Sequence, residues 1–86
     1  MYQIYYTNQA KKDAIKIAAN GLKNKTLALI EILRKNPYCN APPYEKLIGD
    51  LKGAFSLRIN IQHRLVYQIL DDEKIVKVIR MWSHYE

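Results

Sequence analysis

The chain has 86 residues, 49% of them hydrophobic and 26% charged, which predicts one domain over residues 1–86 with a single core and argues against disorder. It lacks an apolar run near the roughly 20 residues of a membrane helix, and its N-terminus lacks the features of a signal peptide. The net charge of +6 favours an anionic partner, nucleic acid or an acidic protein segment, over a chance excess of lysine. Cys39 is the single cysteine, which excludes an internal disulfide and is typical of a cytoplasmic protein.

The first 20 residues predict a strand and a helix. Tyr2–Tyr6 is rich in aromatic residues and is expected to form the first strand. Thr7 or Asn8 is expected to cap a helix that runs to about residue 20. Asn20-Gly21 then supplies the left-handed residue that ends this helix.

A second helix and a proline-rich loop follow. The helix is predicted from about Leu22 to Lys35, with an apolar stripe made of Leu22, Leu29, Ile30 and Leu33. Asn36-Pro37 stops it, because the residue before a proline disfavours helical geometry. The segment Pro37–Tyr44 contains all three prolines and is predicted to be a loop.

Three further strands are predicted in the C-terminal part. Hydrophobic and polar residues alternate from Ala54 to Ile61, which is typical of a half-buried strand. His63–Leu70 is the next strand, Asp71–Lys74 a turn, and Ile75–Trp82 the last strand. The order β-α-α-β-β-β predicts an α+β fold in which two helices pack on one face of a mostly antiparallel four-stranded sheet.

The pairing of these strands decides which side chains share a face. A hairpin around Gln62 whose paired positions sum to about 124 places Asn60 opposite Arg64. Beneath the helices then lie the hydrophobic residues Phe55, Leu57, Ile59, Ile61, Leu65, Tyr67 and Ile69. Arg58, Asn60 and Arg64 share the other, uncovered face. A second turn whose pairs sum to 146 adds His84 to that face, whereas a register one residue different puts His84 beneath the helices.

Each candidate side chain also has a simple structural interpretation. Two arginines on one face can bind a phosphate at two points, although exposed arginines can also just solvate a sheet. Glu45 and His84, each taken alone, are typical of surface residues. Trp82 is expected to pack as core, and Tyr85 either to stack on a base or to cover apolar surface. The residue spacings of a metal site are missing, so no metal is predicted.

The C-terminal half nevertheless carries an ordered set of motifs. They lie within "YEKLIGDLKGAFSLRINIQHRLVYQIL" and "RMWSHYE". They are the Glu after the loop, Gly-x-x-Ser-x-Arg-Ile at Gly53–Ile59, His-Arg-Leu-Val-Tyr at His63–Tyr67 and the terminal His-Tyr. Across Tyr44–Glu86 this set closely resembles the Txe/YoeB branch of the RelE-like bacterial toxins, whereas the first 40 residues resemble it mainly in length and helical layout.

The resemblance implies a toxin of a type II toxin–antitoxin system that acts as a ribosome-dependent endoribonuclease on mRNA. By residue matching it implies that Glu45 is the general base for the ribose 2′-OH and that His84 is the general acid for the 5′-oxygen. Arg64 would stabilise charge on the scissile phosphate, Tyr85 would help to position the nucleotide, and Arg58 would support them. These residue types suit the reaction, which needs a base, an acid and a cation and no metal or cofactor.

The resemblance also implies partners and leaves some differences. The expected partners are a cognate antitoxin, the ribosome with its mRNA and a second copy of the chain, and no membrane. Together with Arg58, we assign Lys46 and Lys52 to RNA binding. Three positions depart from the family pattern: Leu57 and Ile48, where relatives carry basic residues, and Glu86, which follows the terminal tyrosine.

Two other functions remain open at this point. A toxin of the same fold that inhibits DNA gyrase would need no RNA chemistry, and such relatives are expected to lack the Glu, Arg, His, Tyr set. A basic RNA-binding module without catalysis would not need Glu45, because a negative charge hinders phosphate binding.

Overall fold

The computed structural model describes residues 1–38, 44–46 and 53–82, and the fold is given for these ranges. Its elements in chain order are β1 (Gln3–Tyr6), α1 (Asn8–Ala19), α2 (Lys23–Lys35), β2 (Glu45–Lys46), β3 (Phe55–Arg58), β4 (Arg64–Leu70), a 3₁₀ turn (Asp71–Glu73) and β5 (Ile75–Arg80). The strands form one mixed sheet in the order β1-β5-β4-β3-β2, with β1 parallel to β5 and the other pairs antiparallel. The predicted α+β fold is confirmed.

Within the described ranges the sheet has five strands, whereas the sequence predicted four. The additional strand is β2, in which Glu45 pairs with Ser56 and Lys46 with Phe55 at the edge of the sheet. Two residues are too few to show the alternation by which a strand is recognised in a sequence. This strand is therefore defined only by its hydrogen-bonded neighbour.

Helix α1 begins at the predicted cap. The Thr7 hydroxyl accepts a hydrogen bond from the backbone N–H of Ala10 at 3.1 Å and donates one to the carbonyl of Ile79 at 2.8 Å. It therefore caps the helix and ties its start to the end of β5. Gly21, with φ +73°, follows the helix in the left-handed conformation that was predicted for it.

One hydrophobic core lies between the two helices and the sheet. Its buried members from the helices are Ala10, Ile17, Leu29, Ile30 and Leu33, and those from the sheet and its connections are Leu57, Ile59, Leu65, Tyr67, Val76, Val78 and Met81. Burial of each large side chain stabilises the fold by about 1.5–3 kcal/mol. The predicted stripe of α2 supplies three of these residues, so the packing holds both helices on the same face.

The hairpin between β3 and β4 has a different register from the predicted one. Arg58 pairs with Arg64, so the paired positions sum to 122 rather than 124. Because the two registers differ by two residues, the same side chains share each face. Asn60 lies in the turn, where its side-chain oxygen accepts hydrogen bonds from the backbone N–H groups of Gln62 at 2.9 Å and His63 at 2.7 Å. This turn chemistry ends the pairing earlier than alternation alone suggests.

Most of the faces predicted from this hairpin are confirmed. Buried beneath the helices are Leu57, Ile59, Leu65 and Tyr67. Ile61 was predicted to join them, but it lies in the turn and is 87% exposed. The opposite face is not fully uncovered as predicted, because Ser56 and Val66 are each 1% exposed there. Val66 forms a second, small cluster with Ala54 and the partly buried Ile79.

Strands β4 and β5 pair in two registers. Val66 pairs with Arg80, a sum of 146, whereas pairs from Tyr67 and Val78 onwards sum to 145, with a bulge between Val66 and Tyr67. The two registers that the sequence left open are therefore both present. The pair whose positions sum to 146 lies at the end of β5 nearest to Arg64. A bulge of this kind re-aims the following side chains. β5 ends at Arg80, two residues before its predicted end.

Candidate functional site

An ion pair joins the edge strand β2 to the central strand β4. Nη1 of Arg64 lies 3.1 Å from Oε2 of Glu45, with β3 between the two strands. Glu45 lies opposite Ser56, and Ser56 lies opposite Val66, so Glu45 and Arg64 are on the same face of the sheet. The sequence predicted both residues as site residues, and the fold brings their charged groups into contact over the small side chain of Ser56.

The two partners differ in exposure. The side chain of Arg64 is 14% exposed, whereas that of Glu45 is 63% exposed. A guanidinium that is mostly withdrawn from water interacts more strongly with an anion, because the effective dielectric around it is lower. The Glu45 carboxylate in turn is open to a ligand that approaches from solvent. The pair thus offers a fixed cation beside an accessible proton acceptor.

Arg58 adds a second cation to the same face. It lies directly opposite Arg64 in the β3–β4 pairing and is exposed. Like charges at directly opposed positions of a sheet repel each other. Glu45 offsets part of this repulsion in the free protein, and a phosphate placed between the two guanidinium groups would offset the rest. The sequence predicted that the two arginines share a face, and they do; the binding of a phosphate between them stays a prediction.

Lys46 is not brought onto this face. It pairs with Phe55, one position along from the pair formed by Glu45 and Ser56, so its side chain alternates to the opposite side of the edge strand. Lys46 is exposed there. Its predicted contact with RNA would therefore be made from the rim of the sheet and not beside Arg64.

His63, the residue that precedes Arg64 in the sequence, takes part in a stacked pair of rings. The rings of His63 and Trp82 have centroids 3.8 Å apart and an angle of 21° between their planes. His63 is 3% exposed, and Trp82 is partly buried and packs against the main core. Trp82 was predicted to pack in the core, and it does so while staying partly exposed. The sequence analysis named His63 only as the first residue of a motif.

The backbone beside this stack is held by a buried carboxylate that the sequence did not single out. Asp13 of α1 is 2% exposed, and its Oδ2 accepts hydrogen bonds from the backbone N–H groups of Met81 at 3.0 Å and Trp82 at 3.2 Å. Its Oδ1 accepts one from the side-chain amide of Gln9 at 2.9 Å. The feature of the sequence that could have identified Asp13 is a charged residue on the inward, apolar side of an amphipathic helix.

Several predicted residues lie outside the described ranges. They are the catalytic candidates His84 and Tyr85, the RNA-binding candidate Lys52, the departures Ile48 and Glu86, and Cys39. The candidate site in the described part of the chain consists of Glu45, Arg58 and Arg64.

A second polar cluster lies at the other end of β4. The hydroxyl groups of Tyr38 and Tyr2 both donate hydrogen bonds to the carboxylate of Asp71, the latter at 2.8 Å. The hydrogen bond from Tyr38, followed by that from Tyr2, lowers the pKa of Asp71. The bond to Asp71 in turn raises the pKa of Tyr38 to about 12. Tyr2 precedes β1 and Tyr38 follows α2, so these hydrogen bonds join both ends of the β1-α1-α2 segment to the β4–β5 turn. The cluster lies at the opposite end of β4 from Arg64.

No three His, Cys, Asp or Glu residues of the described ranges are grouped so that they could hold a metal ion. No described helix is long and apolar enough to cross a membrane.

Comparisons with known proteins identify the family of the chain. Residues 4–86 match the model of a protein family described as the ParE toxin of type II toxin–antitoxin systems. The chain is 32% identical to the toxin YoeB of Streptomyces coelicolor over 96% of its own length and 99% of that protein. It is 39% identical to the toxin YoeB of Mycobacterium bovis over 57 residues, and this match spans 66% of the chain and 65% of the mycobacterial protein.

Solved structures of the Staphylococcus aureus YoeB toxin share the fold. In its complex with YefM, that toxin is 30% identical to the chain, with 99% of each chain covered and a TM-score of 0.81. The structure of the YoeB dimer matches the chain at 30% identity, with 98% of each chain covered and a TM-score of 0.78. The chain therefore matches the ParE toxin family of type II toxin–antitoxin systems over nearly its whole length, and it belongs to the YoeB toxins, which is the family that the motifs of its C-terminal half predicted.

Proposed function

We propose that this toxin is a ribosome-dependent endoribonuclease that cleaves mRNA and so inhibits translation. The observation that carries the proposal is the Glu45–Arg64 ion pair, 3.1 Å between charged groups, on a face where Arg58 lies directly opposite Arg64. A proton acceptor beside two guanidinium groups is suited to a phosphodiester whose own 2′-hydroxyl is the nucleophile. It is poorly suited to binding alone, because the carboxylate repels the phosphate.

Each residue then has a defined task in the reaction. Glu45 accepts the proton of the 2′-OH as the 2′-oxygen attacks the adjacent phosphorus. Arg64, with Arg58, stabilises the charge that develops on the non-bridging oxygens. His84 donates a proton to the 5′-oxygen as its bond to phosphorus breaks, and Tyr85 positions the nucleotide. The products are a 2′,3′-cyclic phosphate and a 5′-hydroxyl end.

The strand order supports this division of tasks. Across the sheet β5, β4, β3 and β2 follow one another, so Arg64 on β4 lies between the strand that leads to His84 and the strand that carries Glu45. A base and an acid that act on opposite sides of one phosphorus need such a separation, with the cation between them.

We also propose the partners of this chain from its relatives. The Staphylococcus aureus YoeB toxin is known in a complex with YefM and as a dimer. By analogy an antitoxin of the YefM kind covers the face of Arg58 and Arg64, and the free toxin forms a homodimer. Cleavage requires the ribosome, which places mRNA against the site and makes the toxin a cytoplasmic protein.

Inhibition of DNA gyrase by a toxin of the same fold is the alternative function. A gyrase inhibitor does not need a carboxylate beside an arginine on the open face of the sheet. The two functions are separated by testing purified protein for inhibition of translation and of DNA supercoiling. Inhibition of supercoiling with intact translation would favour the alternative.

The decisive experiment is primer extension on ribosome-bound mRNA with the wild-type protein and Glu45→Gln. The substitution keeps the shape of the side chain and removes the proton acceptor, so cleavage should fall by on the order of 10²- to 10⁴-fold. Glu73→Gln is the matched control, since Glu73 is exposed in the 3₁₀ turn at the other end of β4. Equal cleavage by the wild-type protein and Glu45→Gln would refute the role of Glu45 as the base.

A further inference from the structure

Ser56 of β3 carries a buried hydroxyl group that makes no hydrogen bond within the described part of the chain. The residue is 1% exposed, and its Oγ atom has no partner there. A buried hydroxyl without a partner destabilises a fold, because it has given up its hydrogen bonds to water. An alanine would fill the same place without this penalty, so stability alone does not explain the serine.

Ser56 lies beneath the ion pair of the proposed site. It is directly opposite Glu45 of β2, so the two side chains share a face and their Cβ atoms are about 4.5–5.5 Å apart. Arg64 reaches Glu45 from β4, which places the ion pair across β3 on the face of Ser56. The side chain of Glu45 is 63% exposed, and a change of its rotamer can bring the carboxylate to the hydroxyl.

The proposed reaction sets two anions in competition for Arg64. In the free protein Nη1 of Arg64 lies 3.1 Å from Oε2 of Glu45. When a phosphodiester binds, the guanidinium donates to its oxygens, and each N–H group that turns to the phosphate is lost to the carboxylate. The phosphate and the carboxylate also repel each other. A neutral hydroxyl can hold Glu45 in this state and leave Arg64 to the substrate.

We propose that Ser56 is a positioning residue for the reaction: when Arg64 turns to the scissile phosphate, the Ser56 hydroxyl donates a hydrogen bond to one oxygen of Glu45. The other oxygen is then left to accept the proton of the 2′-OH. The inference rests on the proposed function, in which Glu45 is the base. It explains the unpaired hydroxyl of the free protein, because the partner arrives only during the reaction. Ser56 acts through Glu45 and does not touch the RNA.

The test compares two pairs of full-length proteins in single-turnover cleavage of ribosome-bound mRNA. Each pair differs by the hydroxyl at nearly constant volume: wild type against Ser56→Ala, and Ser56→Thr against Ser56→Val. Loss of the hydroxyl should lower the rate constant at saturating toxin by roughly 10- to 100-fold, the usual contribution of one hydrogen bond to a charged group. The toxin concentration that gives half of the maximal rate should not change. If the larger side chains of the second pair prevent folding, the first pair still decides.

Stability supplies a second readout, in which a purely structural role predicts the opposite result. Because the hydroxyl is unpaired in the free protein, Ser56→Ala should melt at the wild-type temperature or above it, although it cleaves more slowly. Thr26→Val is the matched control, since Thr26 of α2 is 3% exposed and its hydroxyl also has no partner among the described residues. It should keep or raise the melting temperature and cleave at the normal rate, because the helices cover the other face of the sheet.

A double variant tests whether Ser56 acts through Glu45. If it does, Ser56→Ala combined with Glu45→Gln should cleave no more slowly than Glu45→Gln alone. Two losses that multiply would show that Ser56 acts independently of Glu45, and the inference would be wrong.

The remaining outcomes separate the two proposals. If Glu45→Gln is slow but Ser56→Ala cleaves at the wild-type rate, Ser56 has no positioning role and the endoribonuclease proposal stands. A Ser56→Ala variant that is slower and also melts at a lower temperature would show that the hydroxyl supports the free fold, which likewise overturns the inference. If Glu45→Gln cleaves at the normal rate, the assignment of the base is wrong, and the inference for Ser56 falls with it.

Discussion

Arg64 contacts a carboxylate and lies directly opposite a second arginine. Its ion pair with Glu45 spans a strand, and Arg58 lies directly opposite it. An arginine suits this position because its planar fork can donate to two oxygens at once, whereas the ammonium group of lysine is a single point charge. The geometry of the donor, and not charge alone, is therefore expected to matter.

Arg64→Lys tests this expectation. The variant keeps the charge and loses the fork, so cleavage should fall, by on the order of 10²-fold if one donor to the phosphate is lost. The melting temperature should change little, because the new ammonium can still pair with Glu45. Single-turnover rates on ribosome-bound mRNA and thermal melts of the two proteins measure both quantities. Equal cleavage rates would reduce the role of Arg64 to general positive charge.

Arg58→Gln is predicted to have opposite effects on stability and on function. Removal of the like charge opposite Arg64 should stabilise the sheet by roughly 0.2–1 kcal/mol. The same change removes one of the two cations that face the phosphate, so RNA cleavage should weaken. Urea unfolding and cleavage assays of the same preparation test the pair of effects. A variant that is both less stable and fully active would contradict the account of this face.

At the scale of elements, helix α1 is joined to the end of β5 at two points. The Thr7 side chain bonds to Ile79, and that of Asp13 bonds to the next two residues after β5. The helix thus sets where β5 stops and how the chain continues. The bulge opposite Val66 lies in the same stretch, so the local register and the helix contacts together define this end of the sheet.

Thr7→Ala is expected to destabilise the protein by about 1–2 kcal/mol. The substitution removes both the helix cap to Ala10 and the bond to the carbonyl of Ile79. Thr7→Ser is the matched control, since it retains the hydroxyl and should stay near wild type. Urea unfolding monitored by circular dichroism gives both values. A Thr7→Ala variant as stable as Thr7→Ser would show that these bonds contribute little.

At the scale of the whole molecule, stability should depend on pH through the cluster around Asp71. The pKa of Asp71 is lowered from 3.8, so its contribution is present above that value and is lost as pH falls through the lower folded-state pKa. The pKa of Tyr38 is raised from 10.0 to about 12, so its contribution is complete below pH 10 and is lost as pH rises towards 12.

Tyr38→Phe should therefore be less stable than wild type by a constant difference between these limits. The difference in melting temperature should shrink in acid, where Asp71 becomes protonated, and in alkali, where Tyr38 ionises. Melting curves of the two proteins across this pH range measure it. A difference that is the same at every pH would show that the bond between Tyr38 and Asp71 does not control the dependence.

The net charge of +6 belongs to the whole surface and governs association. We expect an acidic, partly disordered antitoxin segment to gain order on the face of Arg58 and Arg64. Its affinity should fall as salt rises, because ions screen exposed charges beyond about 8 Å at physiological ionic strength. Titration calorimetry at increasing salt tests this. An affinity that is indifferent to ionic strength would make the electrostatic account wrong.

The sequence by itself determined the order of elements and the faces of the central strands. Alternation in β3 and β4 placed Leu57 and Leu65 beneath the helices and both arginines on the other face, since a strand has a strict period of two. The faces were predicted correctly although the predicted register between β3 and β4 is wrong by two residues, because a shift of two residues leaves each side chain on the same face. Glu45 and Arg64 were predicted as site residues from an ordered motif, and that prediction does not depend on register.

Only the tertiary structure decided what joins these elements. A two-residue edge strand has no period to read, yet it carries Glu45 across β3 to Arg64. The register at the end of β5 depends on a bulge, and the backbone after it is held by Asp13, which is 68 residues away from Met81 in the sequence. Such contacts arise from packing between segments that are distant in the sequence, so a local sequence pattern cannot predict them.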